Sequence, residues 1–162
     1  MLESNRCSIR QFKHSDWEEV AELFKNSTVR KYLGGIRSEE SIQTLLEEML
    51  QQENKSYYWI IREKYTDRFV GLVSLDSYHD GINTEISYQL LPEWWNKGLA
   101  TEVITEVLLL SFNKLKLTKI MAETQSANKA SCRLLEKVGM RLERTLIRFG
   151  KEQSVYTFEV SD

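Results

Sequence analysis

The stretch LLPEWWNKGLATEVITEVLLL, residues 90–110, gathers the residues best placed to hold a charged ligand. It joins an apolar strand end to the chain's single proline, Pro92, then to the turn Asn96-Lys97-Gly98, and at once to a long run with helical periodicity. A sharp turn feeding a helix leaves several backbone N–H groups without partners, backed by the positive end of the helix dipole. Such a mouth attracts an anion, and Gly98 with the small Ala100 lets phosphate oxygens approach the backbone closely. Lys97 precedes the glycine and no Gly-Lys-Ser/Thr follows, so the pattern is not that of a nucleoside-triphosphate P-loop. Nor does the chain carry the Gly-x-Gly-x-x-Gly of a dinucleotide fold. A second reading stands at this level, in which Gly98 merely turns the chain.

Composition narrows what the loop can serve. The chain has 162 residues, 41% of them hydrophobic, and a net charge of −2 with cations spread along its length. That length buries roughly two-thirds of the unfolded surface in one domain, expected to run over residues 1–162. No cationic stripe marks a nucleic-acid surface. No apolar run approaches the roughly 18 to 20 residues that a membrane span needs. The two cysteines, Cys7 and Cys132, have neither zinc-site spacing nor the density of a disulfide scaffold, and no signal segment precedes them, so a reducing cytoplasm and no metal are expected.

The elements that must position the loop follow from periodicity. Residues 6–12 read as a strand, after which Ser15-Asp16-Trp17-Glu18 has the form of a capping box opening a helix with Trp17, Val20, Ala21 and Phe24 on one face. Beyond Gly34-Gly35, Ser38 caps a second helix carrying Ile42, Leu45, Leu46, Met49 and Leu50. Residues 56–63 and 68–78 form a hairpin, and 84–91 is a third consecutive strand ended by Pro92. From Gly98 a helix runs with Ala100, Val103, Ile104, Val107, Leu108 and Ser111 inward. A strand at 119–124 and a helix at 128–140, capped by Asn128 and ended at Gly139, precede strands at about 141–149 and 153–160. The result is an α/β chain, with a mixed sheet of about seven strands covered by about four helices.

At this point the sequence resembles the GNAT superfamily of acyl-CoA-dependent N-acetyltransferases, and within it the branch similar to the ribosomal-protein N-terminal acetyltransferases. The family's Gln/Arg-x-x-Gly-x-Gly/Ala loop stands here as Trp95-Asn96-Lys97-Gly98-Leu99-Ala100, and WNKGLATE departs from the branch's version at Asn96 and Leu99. ETQSANKASCRLLEKVGM resembles the branch's Asn-x-x-Ser helix. The resemblance implies acetyl-CoA as cofactor, its pyrophosphate on the amides of Trp95, Asn96, Lys97, Gly98, Leu99, Ala100 and Thr101. The pantetheine would lie beside Tyr88, Gln89 and Leu90 between splayed parallel strands, Asn128 would bond to it, and Ser131 would lie near the sulfur. An N–H near Leu90 would polarise the thioester carbonyl. Asparagine at 96 suits a backbone needing positive φ.

Acetyl transfer needs an amine freed of its proton, a stabilised oxyanion and a leaving thiolate that is protonated or tolerated. Glu85 is the candidate base, through water; a solvated strand carboxylate is the alternative. The family's usual tyrosine on the last helix is replaced by Leu135, leaving Ser131 as the candidate acid or else a capping residue. A CoA thiol is acidic enough to leave without a strong donor. Trp59, Tyr57 and Tyr58 read as hairpin residues, His14 and His79 as surface groups, and Cys132 lacks a nucleophile's partner. The acceptor site is expected from Tyr32 to Gly35, the two N-terminal helices and the turn near 148–154. Glu39, Glu40 and Glu47 either steer a cationic amine or form a helix's wet face. The resemblance thus implies an N-acetyltransferase of a protein or peptide N-terminal α-amine. Its alternatives are a small amine such as a polyamine or aminoglycoside, or a non-catalytic acyl-CoA-binding regulatory module. A homodimer is common among folds of this kind.

Overall fold

The computed structural model describes residues 2–51 and 56–160, and in it the alternating stretches become strands of a mixed sheet. The strands are β1 (Leu2–Glu3), β2 (Cys7–Gln11), β3 (Tyr57–Glu63), β4 (Phe69–Ser77), β5 (Thr84–Leu90), β6 (Lys119–Gln125), β7 (Arg141–Arg148) and β8 (Lys151–Glu159). The helices are α1 (Trp17–Lys25), α2 (Glu39–Gln51), α3 (Leu99–Asn113) and α4 (Lys129–Lys137). Spatial order across the sheet is β1-β2-β3-β4-β5-β6-β8-β7. Every neighbouring pair is antiparallel except β5 and β6.

Alternation along each strand sends successive side chains to opposite layers. On one face Ile86, Leu90, Ile120 and Ala122 pack with Val103, Ile104, Val107 and Leu108 of α3 and Leu135 of α4. On the other face Ile60 and Leu72 meet Val20, Leu23 and Phe24 of α1 and Ile42, Leu46 and Met49 of α2. Trp59 and Ile61 join the first layer while Ile60 between them joins the second.

Two helix starts form as the sequence predicts: Ser41 N–H donates to Ser38 Oγ at 3.2 Å, and Ser131 N–H to Asn128 Oδ1 at 3.3 Å. The capping box at Ser15 does not form. Instead Lys13 N–H donates to Asp16 Oδ2 at 3.0 Å, closing the short 3-10 turn His14–Asp16 ahead of α1. Asp16 is drawn there because it is also buried against Arg62, at 3.1 Å, a partner 46 residues away. The sheet has one strand more than predicted, because the two-residue β1 is too short to show a period and exists only through its register with Ile9 and Ser8. β8 begins at Lys151 instead of 153, since Phe149 (φ 55°) and Gly150 (φ 71°) make a tight two-residue hairpin. Gly71 is required by a close approach: a Cβ there would lie 2.1 Å from the Gln89 carbonyl oxygen.

Candidate active site

β5 and β6 pair only at Thr84↔Ile120 and Glu85↔Met121, and beyond those residues their ladder stops. On its other edge β5 remains paired to β4 through Leu90, and Leu91 N–H donates to Val70 O at 2.9 Å. Alternation in an antiparallel ladder therefore turns the backbone groups of Tyr88 and the N–H of Leu90 toward the opened side. This gap in the middle of the sheet connects the two layers.

At its upper end the chain leaves β5 through the 3-10 turn Pro92–Trp94. Two indoles pin that turn: Trp94 Nε1 donates to Phe69 O at 3.0 Å and Trp95 Nε1 to Leu90 O at 2.8 Å. Asn96 (φ 60°) and Gly98 (φ 80°) then both adopt the left-handed conformation that starts α3. Asparagine tolerates this region better than other residues with a side chain. Trp95 N–H, expected among the phosphate-binding amides, is instead spent on Pro92 O at 3.1 Å, closing the 3-10 turn, while among the described residues no acceptor meets the N–H groups of Asn96 through Thr101. These donors sit at the N-terminus of a 15-residue helix, a set suited to phosphate oxygens.

The loop is braced by residues that sequence reasoning missed. Arg6 Nη2 donates to Lys97 O at 2.7 Å, and Arg6 Nε to Glu102 Oε2 at 2.5 Å. Ser4 Oγ donates to the other Glu102 oxygen at 2.9 Å. Desolvation pushes the Glu102 carboxyl up, but the hydrogen bonds from Ser4 and Arg6 outweigh it and hold the group below its ordinary range. No local signal could reveal a contact between residues 96 apart in sequence.

Glu85 and Tyr88, of opposite parity on β5, project to opposite faces. Tyr88 lies under α4, where its hydroxyl is 2.5 Å from Ser131 Oγ; burial pushes its phenol up to about 12. Asn128 caps the same helix, and half-buried Cys132 is adjacent. Leu135 is core, 1% exposed. Gln89 points to the α1/α2 side, its Oε1 accepting from Arg30 Nη1 at 3.2 Å. Arg30, itself buried, also donates to the carbonyls of Gly35 (2.9 Å) and Leu33 (2.6 Å), so it ties the Tyr32–Gly35 segment to β5.

On that second face Glu85 stands at the base of the gap, its Oε2 accepting from Glu123 N–H at 3.3 Å. Burial, followed by the charge of Glu123, pushes its carboxyl up to about 7. Asp76 pairs with Glu85 across β4 and holds the hydroxyls of Ser56 (2.6 Å) and Tyr58 (2.8 Å). Glu123 accepts from Tyr78 Oη at 2.7 Å and Arg148 Nε at 2.8 Å. His79 is a surface group 3.9 Å from Glu123. Glu39, by contrast, is an exposed partner of Lys25 at 2.9 Å on α2. The predicted residues thus divide: the loop, Tyr88, Asn128 and Ser131 gather on the α3/α4 side, Glu85 and Gln89 on the other. Glu123, Asp76 and Arg30, absent from the sequence reading, flank Glu85 and Gln89.

The sequence profile of the acetyltransferase (GNAT) domain family matches residues 6–141. The chain is 32% identical to the uncharacterized N-acetyltransferase YoaA of Bacillus subtilis (strain 168), over 92% of this chain and 87% of that protein. A GNAT-family acetyltransferase from Bacillus anthracis has a TM-score of 0.85 at 28% identity, covering 98% of this chain and 97% of the other. Spermidine N-acetyltransferase from Vibrio cholerae, solved with CoA and spermine, shares the fold with a TM-score of 0.83 at 19% identity over 95% of each chain.

Proposed function

The chain belongs to the GNAT acetyltransferase family and is an acyl-CoA-dependent N-acetyltransferase, and from that premise we propose that residues 1–162 act as one domain that acetylates a primary amine by direct attack in a ternary complex. One observation carries the reading: the two-residue β5–β6 pairing opens the sheet between a donor-lined face and a carboxylate-lined one. Family members use acetyl-CoA as acetyl donor. Here the N–H groups of Asn96 through Thr101 hold its pyrophosphate, Tyr88 and Leu90 offer backbone groups to the pantetheine, and Asn128 and Ser131 border the thioester. When bound, acetyl-CoA supplies the activated acetyl group.

The residues of this chain do the rest. Leu90 N–H, aimed into the gap, stabilises negative charge developing on the carbonyl oxygen. Glu85 takes the ammonium proton, directly or through water, and a carboxylate whose pKa lies near 7 is matched to that task at neutral pH. The acceptor enters over the α1/α2 face, where Arg30 holds the 32–35 segment as its lip.

The leading acceptor is a protein or peptide N-terminal α-amine, in keeping with the resemblance to ribosomal-protein N-terminal acetyltransferases. A second reading has its own support: Asp76, Glu85 and Glu123 share the acceptor face, and the likeness to a spermidine N-acetyltransferase structure agrees with a small polycation. Thiol release from acetyl-CoA is to be measured against peptides, polyamines and aminoglycosides from about pH 6 to 9. Acceptor-dependent release with one class identifies the substrate. CoA binding with no release for any amine overturns turnover and leaves a regulatory binding module.

A further inference from the structure

Leu135 stands where the family resemblance would put a tyrosine near the sulfur, yet the same helix keeps a hydroxyl at Ser131, and a residue of a different element holds it. Tyr88 reaches from β5 to within 2.5 Å of Ser131 Oγ on α4. A phenol is a far stronger hydrogen-bond donor than an aliphatic alcohol, so in this pair the hydrogen between the oxygens belongs to tyrosine and Ser131 accepts it. Ser131 N–H is already committed to Asn128 Oδ1 at 3.3 Å, which fixes the residue at the helix mouth. The one group left without an assigned direction is the Ser131 hydrogen. With Tyr88 filling one lone-pair direction of Oγ, that hydrogen turns away from the phenol.

Resting on the acetyl-transfer reading above, we infer that Tyr88 is a positioning residue that locks the Ser131 hydroxyl with its hydrogen toward the sulfur of coenzyme A. As the amine nitrogen bonds to the carbonyl carbon and the carbon–sulfur bond breaks, the electron pair stays on sulfur and Ser131 donates a hydrogen bond to it. The proton surrendered by the amine to Glu85 returns through solvent to the sulfur, so neither hydroxyl is consumed. Burial keeps the Tyr88 phenol protonated throughout the working range, at about 12, which preserves the direction of the relay. Of the neighbouring titratable groups, the Tyr156 hydroxyl is engaged with Glu136 Oε1 at 3.1 Å and also meets Cys132, which is the titratable group acting on Tyr88.

The test uses the full chain loaded with CoA and needs no acceptor. The ultraviolet thiolate absorbance of the CoA complex, taken as a difference from the desulfo-CoA complex, is followed against pH for the parent, Tyr88→Phe, Ser131→Ala, Ser131→Thr and the Tyr88→Phe/Ser131→Ala double variant. A hydroxyl aimed at sulfur lowers the bound thiol's pKa by about one unit, a tenfold effect. Tyr88→Phe and Ser131→Ala should each abolish most of that shift, the double variant should lose no more than either alone, and Ser131→Thr should keep it. If CoA binds with its thiol titrating as in free solution, or if Tyr88→Phe leaves the shift intact, the role of Tyr88 is overturned while the acetyl-transfer reading stands. If CoA fails to bind the parent at all, that reading falls first and this one with it.

Discussion

In the proposed mechanism Glu85 is the residue where activity and stability pull in opposite directions. Its carboxyl sits at about 7 against an ordinary 4.5, so the folded state binds a proton more tightly than the unfolded chain does. Stability is therefore highest below the ordinary value, declines as pH rises from about 4.5 to 7, and is level above that. The loss is on the order of 3 kcal/mol. The proposed base role requires the ionised form, so kcat/KM should rise through the same window to a plateau above pH 7. Glu85→Gln should lower kcat/KM by roughly 10² to 10⁴ and erase that limb. The same variant should unfold at a higher temperature than the parent at pH 8 but not at pH 4. An unchanged rate and pH profile in Glu85→Gln would withdraw the base assignment. Glu85 was visible in the sequence as a carboxylate on the strand expected to line the cleft, but not as one on the face opposite Tyr88. The perturbation was not visible, because it comes first from burial in the folded sheet and then from Glu123, which is 38 residues on and brought alongside only by the parallel pairing.

At the scale of the element, the turn before α3 is the proposed seat of CoA affinity, and it depends on backbone conformation. Asn96 and Gly98 both hold positive φ, and a Cβ at Gly98 would lie 3.2 Å from Arg6 Nη2. Gly98→Val forces a β-branched side chain into that conformation, at roughly 1–2 kcal/mol or more, and displaces the arginine that braces the loop. CoA affinity by calorimetry should fall at least tenfold, while Asn96→Gly, which relieves strain, should stay within about twofold of the parent. Equal CoA affinity in Gly98→Val and parent would mean that the glycine only turns the chain. The spacing of Gly98 and Ala100 ahead of a helical run was legible because turn and helix are local. The brace from Ser4 and Arg6 was not, because β1 and β2 reach α3 only after the sheet has formed.

For the whole molecule, the sheet separates two packed layers, with Leu91 touching both. Arg62 and Asp16, each buried, meet at 3.1 Å on the α1/α2 side, with Glu19 as a further partner of Arg62. Asp16→Ala leaves a buried cation short of its partner and should cost about 3 to 5 kcal/mol by denaturant unfolding. CoA affinity, which the proposal places on the opposite face, should be unchanged under conditions where the variant is folded; a matching loss of affinity would show the layers to be coupled. The sequence by itself determined the order of strands and helices after β1, the helix-mouth donors from Asn96 onward and the cap at Asn128, since each depends on periodicity or on residues a few positions apart. The resemblance implied that two parallel strands splay, but tertiary structure alone decided that β5 and β6 part after two pairs, that Tyr88 meets Ser131, and that Glu85 stands beside Glu123. Those contacts join residues 38 and 43 apart, and only the packing of the sheet and its layers sets such distances.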